Sequence, residues 1–421
     1  MIRNLPSALI LLTGLAAQAS AGLDDTLAPP PGHPAIAYFH GATQDPAAML
    51  NRRIQDGSVQ LKSSGPTGYL RSVLDALEVP VESQVVVYSK TSRQIGLIDP
   101  HNPRAIFFND AVAVALMRGG FIEVASLDPR RGVILYTMDP RPSSKPRFGR
   151  DDSCLICHRS DSSLGVPGMI VKSVLTGADG SPRLLYGAYE TDHRSPLEER
   201  WGGWYVTGSS GGAKHLGNIM FQPGDTPEAH AANPALQLDS LKTQFVTSGY
   251  LSPYSDIAAL MVFDHQMRMT NLLIRLGWEA RVSDHDRRPT SILESAAREL
   301  VDYLLFVDEA PLPAKLAGSS GFAQKFAARG PRDAQGRSLR DLDLQRRVLK
   351  YPCSYMIYSD TFDALPASAK DPVYRRLWQV LSGAESAGNY ARLTRADRQA
   401  VLEILKDTKK DLPPYFTAIR E

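Results

Sequence analysis

The chain has 421 residues, of which 43% are hydrophobic and 22% are charged, and these values exclude an intrinsically disordered protein. The length indicates two domains or one large domain. The formal net charge is only +2, which gives no reason to expect nucleic acid or an anionic membrane as a partner.

The N-terminus has the pattern of a secretory signal peptide. Arg3 supplies a positive start, an apolar run extends from Ala8 to Ala17, and Ala19-Ser20-Ala21 has the A-x-A form of a cleavage site. The apolar run is too short to span a membrane, although an uncleaved anchor is the alternative. We therefore predict a signal peptide over residues 1–21, cleaved near Ala21, and a periplasmic protein with no membrane span after cleavage.

Residues 22–66 are predicted to form an N-terminal tether and a short helix. The stretch from Asp24 to His33 contains three consecutive prolines and is typical of an exposed tether. Asp45 and Pro46 predict a helix start, because a capping residue precedes proline at the first helical position. This helix is expected to end near Gly57.

Residues 67–225 are predicted to be rich in strands. Between Ser83 and Asp139, short apolar and β-branched runs alternate with turn residues, and this pattern predicts antiparallel strands. After Asp152 the sequence is rich in Gly and Ser, so we expect irregular structure with two further strands. The predicted strands are Val85–Tyr88, Ala105–Phe108, Phe121–Ala125, Val133–Thr137, Met169–Leu175 and Leu184–Glu190.

Residues 226–421 are predicted to be helical. Thr394 and Asp397 are spaced like a capping box at the start of the last helix. Strands are concentrated before residue 190 and helices after residue 255, which predicts an α+β fold without regular alternation of strand and helix. Apolar residues recur at helical spacing in Asp256–Arg281, Ser291–Asp308, Val373–Leu381 and Arg395–Thr408.

The strand-rich half contains the sequence Cys154-Leu155-Ile156-Cys157-His158, which is the C-x-x-C-H attachment motif of a covalently held c-type haem. The two thiols add to the two vinyl groups of the porphyrin, and the histidine becomes the proximal ligand of the iron. With 3 Cys and 9 His in the chain, chance placement is a poor explanation. Haem c is attached only after export, so the motif agrees with the signal peptide. We predict one covalent haem c on Cys154, Cys157 and His158.

Three side chains are candidates for the distal iron ligand. His265 lies on a predicted helix with Met261, Met269 and Leu272 on the same face, which suits either a haem pocket or a core histidine. His215 belongs to a glycine-rich loop that is able to approach a porphyrin closely. Met169 follows the motif by 11 residues. His193 is expected to bind Asp192 or to cap a loop.

The propionates of the haem need cationic partners. Arg147, Arg150 and Arg159 bracket the motif, and a guanidinium pairs bidentately with a carboxylate, so these three are possible propionate anchors. Solvated surface arginines are the alternative.

Cys353, which the motif leaves over, is expected to be a buried inert thiol, with a reactive or intermolecular thiol as the alternative. A thioredoxin-like site, a zinc site and a plain disulfide are weaker interpretations of the motif itself.

The motif makes the chain resemble c-type cytochromes in general. More broadly, Phe107-Phe108-Asn109-Asp110, the stretch from Arg194 to Tyr205, and Tyr355-Met356-Ile357-Tyr358-Ser359 resemble a family of exported bacterial proteins described only as cytochrome c domain-containing. This resemblance implies haem c at the motif and carries no substrate. The size and the strand-rich, haem-bearing first half depart from small all-α cytochromes c.

A single covalent haem and no other catalytic motif indicate an electron-transfer protein that would have a redox partner protein. A strong His or Met ligand would fill the iron and leave only electron transfer. An open distal site would instead permit a haem enzyme, such as a peroxidase or an oxidase of small nitrogen compounds. The large scaffold is also compatible with a haem-based binding or sensing module.

Overall fold

The fold is α+β, with a strand-rich N-terminal half and a helical C-terminal half, as the sequence predicts. The computed structural model describes residues 28–222, 224–225, 236–289 and 291–416. The predicted signal peptide therefore lies outside the described residues. No helix in these ranges is long and apolar enough to cross a membrane.

The main sheet has seven strands in the order β10-β1-β2-β3-β4-β5-β6, and every neighbouring pair is antiparallel. Two small sheets pair β11 with β8 and β7 with β9. The strands are β1 Val85–Val87, β2 Arg104–Phe108, β3 Val112–Leu116, β4 Ile122–Asp128, β5 Gly132–Met138, β6 Gly149–Arg150, β7 Lys172–Val174, β8 Thr176–Gly177, β9 Ala188–Glu190, β10 Trp204–Tyr205 and β11 Met220–Phe221.

A tight turn joins β4 to β5 and brings the sheet against the helical half. The carboxylate of Asp128 accepts hydrogen bonds from the backbone N–H groups of Arg130 and Arg131, at 3.0 and 2.9 Å. Gly132 then adopts φ +93°, and a Cβ there would lie 2.8 Å from the Ile274 side chain. Glycine is required at this position, since other residues rarely adopt this φ and the neighbouring helix leaves no room.

The helices cover both faces of the main sheet. Asp45 caps the first helix by accepting a hydrogen bond from Ala48 N–H, and Thr394 and Asp397 form a capping box at the last, as predicted. The helices are α1 Pro46–Gln55, α2 Leu70–Ala76, α3 Leu155–His158, α4 Ile257–Asp286, α5 Ser291–Leu304, α6 Phe322–Ala328, α7 Asp360–Asp363, α8 Ala367–Leu381 and α9 Arg395–Thr408.

Helix α4 is the centre of the molecule. Its residues from Ile257 to Ser283 are buried almost without exception, so it is enclosed on all sides and not only along one stripe. One side packs on the sheet, as the Phe108–Phe263 ring contact at 4.9 Å shows. Polar residues on such a helix need partners, and several of them bind loops that surround the attachment motif.

The sequence predictions of individual elements differ from the structure in several places. The short strands β6, β8, β10 and β11 were not predicted. The predicted strands omit β3, whose five residues are all buried. The predicted strand Leu184–Glu190 is a strand only from Ala188, because Leu184–Tyr186 forms a 3₁₀ turn. Helix α2 and helix α6 were not predicted. The proposed boundaries at residues 66 and 225 stay predictions.

Candidate haem attachment site

The attachment motif begins directly after β6, at the edge of the main sheet. Asp151 N–H donates to the Leu135 carbonyl at 2.9 Å, and the Asp151 carboxylate accepts from Ser153 N–H at 3.2 Å. These bonds start the short helix α3, which places the two cysteines on one side of a single turn. Cys154 is half-buried and Cys157 is exposed, and both thiols are free.

His158 is held in the orientation that an iron ligand needs. Its Nδ1–H donates to the carbonyl of Gly168 at 3.0 Å, and Gly168 N–H donates back to the His158 carbonyl at 2.8 Å. Because Nδ1 carries the proton, Nε2 presents a lone pair. Burial lowers the pKa of His158 and so favours the neutral form of the ring. A backbone partner on the second nitrogen is the usual support of a metal-bound histidine.

Helix α4 fixes the loop that carries Gly168. The Asn271 amide accepts from Met169 N–H at 3.0 Å and donates to the Met169 carbonyl at 2.7 Å. Arg275 donates to the Leu164 carbonyl at 2.8 Å. A Cβ on Gly168 would lie 2.1 Å from the Asn271 side-chain oxygen, so only glycine fits this close approach.

Arg93 contacts the first thiol of the motif and was not predicted from the sequence. Its Nη1 lies 2.5 Å from the Asp151 carboxylate, 2.8 Å from Ser153 Oγ and 3.5 Å from Cys154 Sγ. Burial raises the pKa of the Cys154 thiol, and the Arg93 guanidinium opposes that rise. Arg93 lies about 60 residues before the motif, so no local spacing indicated this contact.

An ion pair on the main sheet faces the same imidazole. Arg104 on β2 and Glu123 on β4 are 3.1 Å apart, and their charges act on the pKa of His158 in opposite directions. Further along this face a recess opens between the sheet and α4. Small and flexible side chains line it, including Ala113, Ala125, Met169 and Met267.

The backbone of Met169 lies on the Nδ1 side of His158. The Gly168 carbonyl accepts from Nδ1, and Met169 follows directly in the chain. Its backbone is fixed there by Asn271, and its side chain packs against the hydrophobic core. From this place the thioether would not be able to ligate an iron held by Nε2.

His265 belongs to a separate buried cluster. Its Nδ1 and the Nδ1 of His193 are 2.7 Å apart, and its Nε2 is 2.7 Å from Ser354 Oγ, so both ring nitrogens are engaged. It also stacks on Phe306 at 4.4 Å. On α4 it points about 120° away from Asn271, which supports the attachment loop. The structure thus places His265 as a hydrogen-bonded core histidine.

His193 also differs from its prediction. It is fully buried and stacks on the rings of His265 and Phe306. The carboxylate of Asp192, its expected partner, instead binds Arg194 at 2.6 Å. His193 and His265 come from distant parts of the chain, so no local spacing indicated their contact.

His215 is buried against a tryptophan and not against the motif. Its Nδ1 accepts from Gly217 N–H at 3.1 Å, and its ring lies 5.5 Å from that of Trp201. Burial lowers the pKa of His215 to about 4. The ring nitrogens of His265 and His215 thus bind groups other than His158 in the described part of the chain.

The three predicted propionate anchors have different places. Arg150 is directed to the opposite side of the sheet, where it donates to the Tyr38 carbonyl at 3.0 Å and lies over the Tyr38 ring. Arg159 donates to the Gly165 carbonyl at 3.0 Å and so closes the loop after the motif. Arg147 is exposed. Arg93 contacts Cys154, and the charge of Arg104 acts on the pKa of His158.

Cys353 is the cysteine that the motif leaves over. Cys353 is fully buried, and burial raises the pKa of its thiol to about 12, as expected of an inert core cysteine. Within the described ranges, the side chains grouped closely enough to hold a metal ion are His33, His285 and Asp286, and the motif cysteines do not join them.

A scan against protein-family models found no match, and searches of curated proteins and of solved structures found none either.

Proposed function

We propose that this protein is an exported, periplasmic monohaem c-type cytochrome that transfers electrons to or from a redox partner protein. The observation that carries the proposal is the hydrogen bond from His158 Nδ1 to the Gly168 carbonyl, which leaves Nε2 available as an iron ligand. The same short turn supplies two free thiols. Cys154 and Cys157 would hold the porphyrin by thioether bonds, and the haem would supply the one-electron chemistry.

The contacts of the chain assign roles to the residues around the motif. Asn271 and Arg275 hold the loop that orients His158. Arg93 keeps Cys154 in place beside Asp151 and moderates the pKa of its thiol. These residues act on the attachment and orientation of the haem, because they fix the backbone around the proximal histidine.

An open distal site is the second candidate, and it would make the protein a haem enzyme or sensor. The observations that favour it are the partners of the predicted ligands: the His265 and His215 rings bind other residues, and the Met169 backbone lies on the Nδ1 side of His158. Carbon monoxide distinguishes the two candidates, because an open or weakly filled ferrous iron binds it at once and a strongly ligated iron resists it.

The proposal is tested by producing the full chain in a host that attaches haem c. We expect an intact mass greater than that of the bare chain by one haem, and a reduced pyridine spectrum of thioether-linked haem. Replacement of both motif cysteines (Cys154→Ala with Cys157→Ala) should abolish both signals. Cys353→Ala is the matched control and should retain them. A colourless wild-type chain with its bare mass would refute the proposal.

A further inference from the structure

Two imidazoles and one carboxylate converge where the N-terminal segment meets the end of helix α4. They belong to His33, which follows the three consecutive prolines, and to His285 and Asp286, the last two residues of the helix. One ring nitrogen or carboxylate oxygen of each residue lies within 4.8 Å of those of the other two. The fold thus brings distant parts of the chain to one point at the surface.

The Oδ1 atom of Asp286 is the common partner of both rings. It lies 3.3 Å from His33 Nε2 and 2.8 Å from His285 Nδ1. The two rings meet edge to face, with centroids 5.1 Å apart. Four-coordinate Zn²⁺ holds nitrogen and oxygen ligands at about 2.0–2.2 Å, which sets neighbouring ligand atoms roughly 3.3 Å apart. The observed spacing therefore needs only small side-chain movements to surround a cation.

The position of His33 is fixed by contacts outside this cluster. Its carbonyl accepts hydrogen bonds from the backbone N–H groups of residues 36 and 37, both at 2.9 Å, so His33 begins a closed turn. After this turn the Tyr38 ring contacts Trp278 of α4, with centroids 6.3 Å apart. Trp278 and His285 are seven residues apart in the helix and so share one face. Packing therefore holds the turn against the face of α4 that carries His285.

The charges around the cluster favour a bound cation of moderate affinity. The carbonyl end of a long helix carries a partial negative charge, and α4 ends at Asp286. The second oxygen of this carboxylate, Oδ2, accepts a hydrogen bond from Arg288 at 2.6 Å. That bond orients the carboxylate so that Oδ1 faces the rings, which is the usual support of a metal-binding carboxylate. The positive charge of Arg288 opposes a cation and so limits the affinity.

The tautomer of His33 has to change when a cation binds. Its Nδ1 accepts from Ala35 N–H at 3.2 Å, so the ring proton lies on Nε2 and points to Asp286. A cation at Nε2 requires the proton on Nδ1 instead, and the contact with Ala35 is then given up. This contact is at the long end of the hydrogen-bond range and only partly buried, so water replaces it.

We propose that His33, His285 and Asp286 form a binding site for a divalent transition-metal cation of the Zn²⁺ type. Two imidazole nitrogens and one carboxylate oxygen suit such an ion, whereas Mg²⁺ and Ca²⁺ take oxygen ligands. Water completes the coordination, because the cluster lies at the surface. The bound cation fastens the N-terminal segment to the end of α4. This site does not depend on the proposed haem function.

Isothermal titration calorimetry with Zn²⁺ tests the site in the full chain at about pH 7.5, where imidazole is neutral. His285→Ala is the main variant, because this side chain is exposed and its loss leaves the core intact. At one site, Zn²⁺ should bind the wild type at least about tenfold more tightly than it binds this variant. Other groups that bind Zn²⁺ are present in both proteins, so the difference reports the site. His101→Gln, at an exposed turn, is the matched control and should bind Zn²⁺ as the wild type does. Equal Zn²⁺ binding by the wild type and His285→Ala would overturn the inference.

Thermal unfolding gives a second measurement. Excess Zn²⁺ should raise the Tm of the wild type, since a cation that binds only the folded chain stabilises it, and should leave the Tm of His33→Gln and His285→Ala unchanged. Mg²⁺ at the same concentration should raise none of them. An equal rise with Mg²⁺ would overturn the transition-metal class, and no rise with Zn²⁺ would overturn the site. Neither result bears on the attachment of haem, which the intact mass decides separately.

Discussion

The side-chain amide of Asn271 binds both backbone groups of Met169, with its oxygen 3.0 Å from N and its nitrogen 2.7 Å from the carbonyl oxygen. Met169 follows Gly168, whose carbonyl orients His158. A buried residue of α4 thereby holds the loop that contains Gly168 by a pair of hydrogen bonds to the Met169 backbone. This contact connects the helical half to the attachment site.

Asn271→Ala should destabilise the protein by about 2–4 kcal/mol, because two buried backbone groups lose their partner. Urea unfolding of the wild type and the variant measures this difference. Asn389→Ala removes an exposed asparagine and should leave the free energy of unfolding close to that of the wild type. An Asn271→Ala protein as stable as the wild type would contradict the role given to this amide.

Arg93→Ala should slow the alkylation of Cys154 in the haem-free chain. The guanidinium lowers the pKa of this thiol against the effect of burial, so its removal leaves less thiolate at a given pH. The measurement uses Cys157→Ser chains at pH 8, where Cys154 is the accessible thiol, because Cys353 is buried. Arg141→Ala, which removes an exposed arginine paired with Asp139, should not alter the rate. A faster reaction in Arg93→Ala would contradict the prediction.

Asp264→Asn should cost about 3–5 kcal/mol of stability, because it leaves the fully buried guanidinium of Arg200 without its carboxylate 3.2 Å away. The amide introduced at position 264 still accepts a hydrogen bond from Trp201 Nε1–H. The loss of stability therefore reports the removal of the negative charge beside Arg200. Chemical unfolding at pH 8 provides the comparison. Asp139→Asn at an exposed ion pair should change little. Equal losses in the two variants would show that burial of the pair is unimportant.

His215→Gln should reduce the loss of stability on acidification. The folded-state pKa of His215 is lowered to about 4, so the unfolded chain takes up a proton between about pH 6.5 and pH 4 that the folded chain does not. The contribution of His215 to the free energy of unfolding is negligible above pH 7. At pH 5 it destabilises the folded chain by about 2 kcal/mol. Unfolding titrations at both pH values measure it. His101→Gln, on an exposed turn, should keep the wild-type pH dependence, and the same result for His215→Gln would exclude this contribution.

Met169→Leu should leave the electronic spectrum of the proposed haem-bearing protein unchanged in both oxidation states, since the Met169 backbone is held on the Nδ1 side of His158 and its side chain packs in the core. Absorption spectra of the oxidised and reduced forms provide the measurement. His158→Ala is the contrast and should alter both spectra strongly. A changed spectrum in Met169→Leu would contradict this prediction and support Met169 as the distal ligand.

The sequence predicted features that depend on neighbouring residues. Asp45 with Pro46 and Thr394 with Asp397 define helix starts by local capping, and the structure confirms both. The α+β division follows from the change of hydrophobic period and is confirmed. The short turn of C-x-x-C-H is local as well. Strand β3 was missed because it is a central strand buried on both faces, without the alternation of a half-exposed strand.

Contacts between distant residues were not predictable. Arg93 reaches Cys154 across about 60 residues, and Asn271 reaches Met169 across about 100. His265 does face apolar neighbours on its helix, as its spacing indicates, but the partner that engages it is His193 from another loop. Helical periodicity indicates that a side chain is buried and does not identify what it meets there.

The attachment turn follows an edge strand, and its second thiol remains at the surface although the sheet and the helical core are complete. The haem proposed for this turn would therefore be joined at the rim of the sheet, at a position open to solvent.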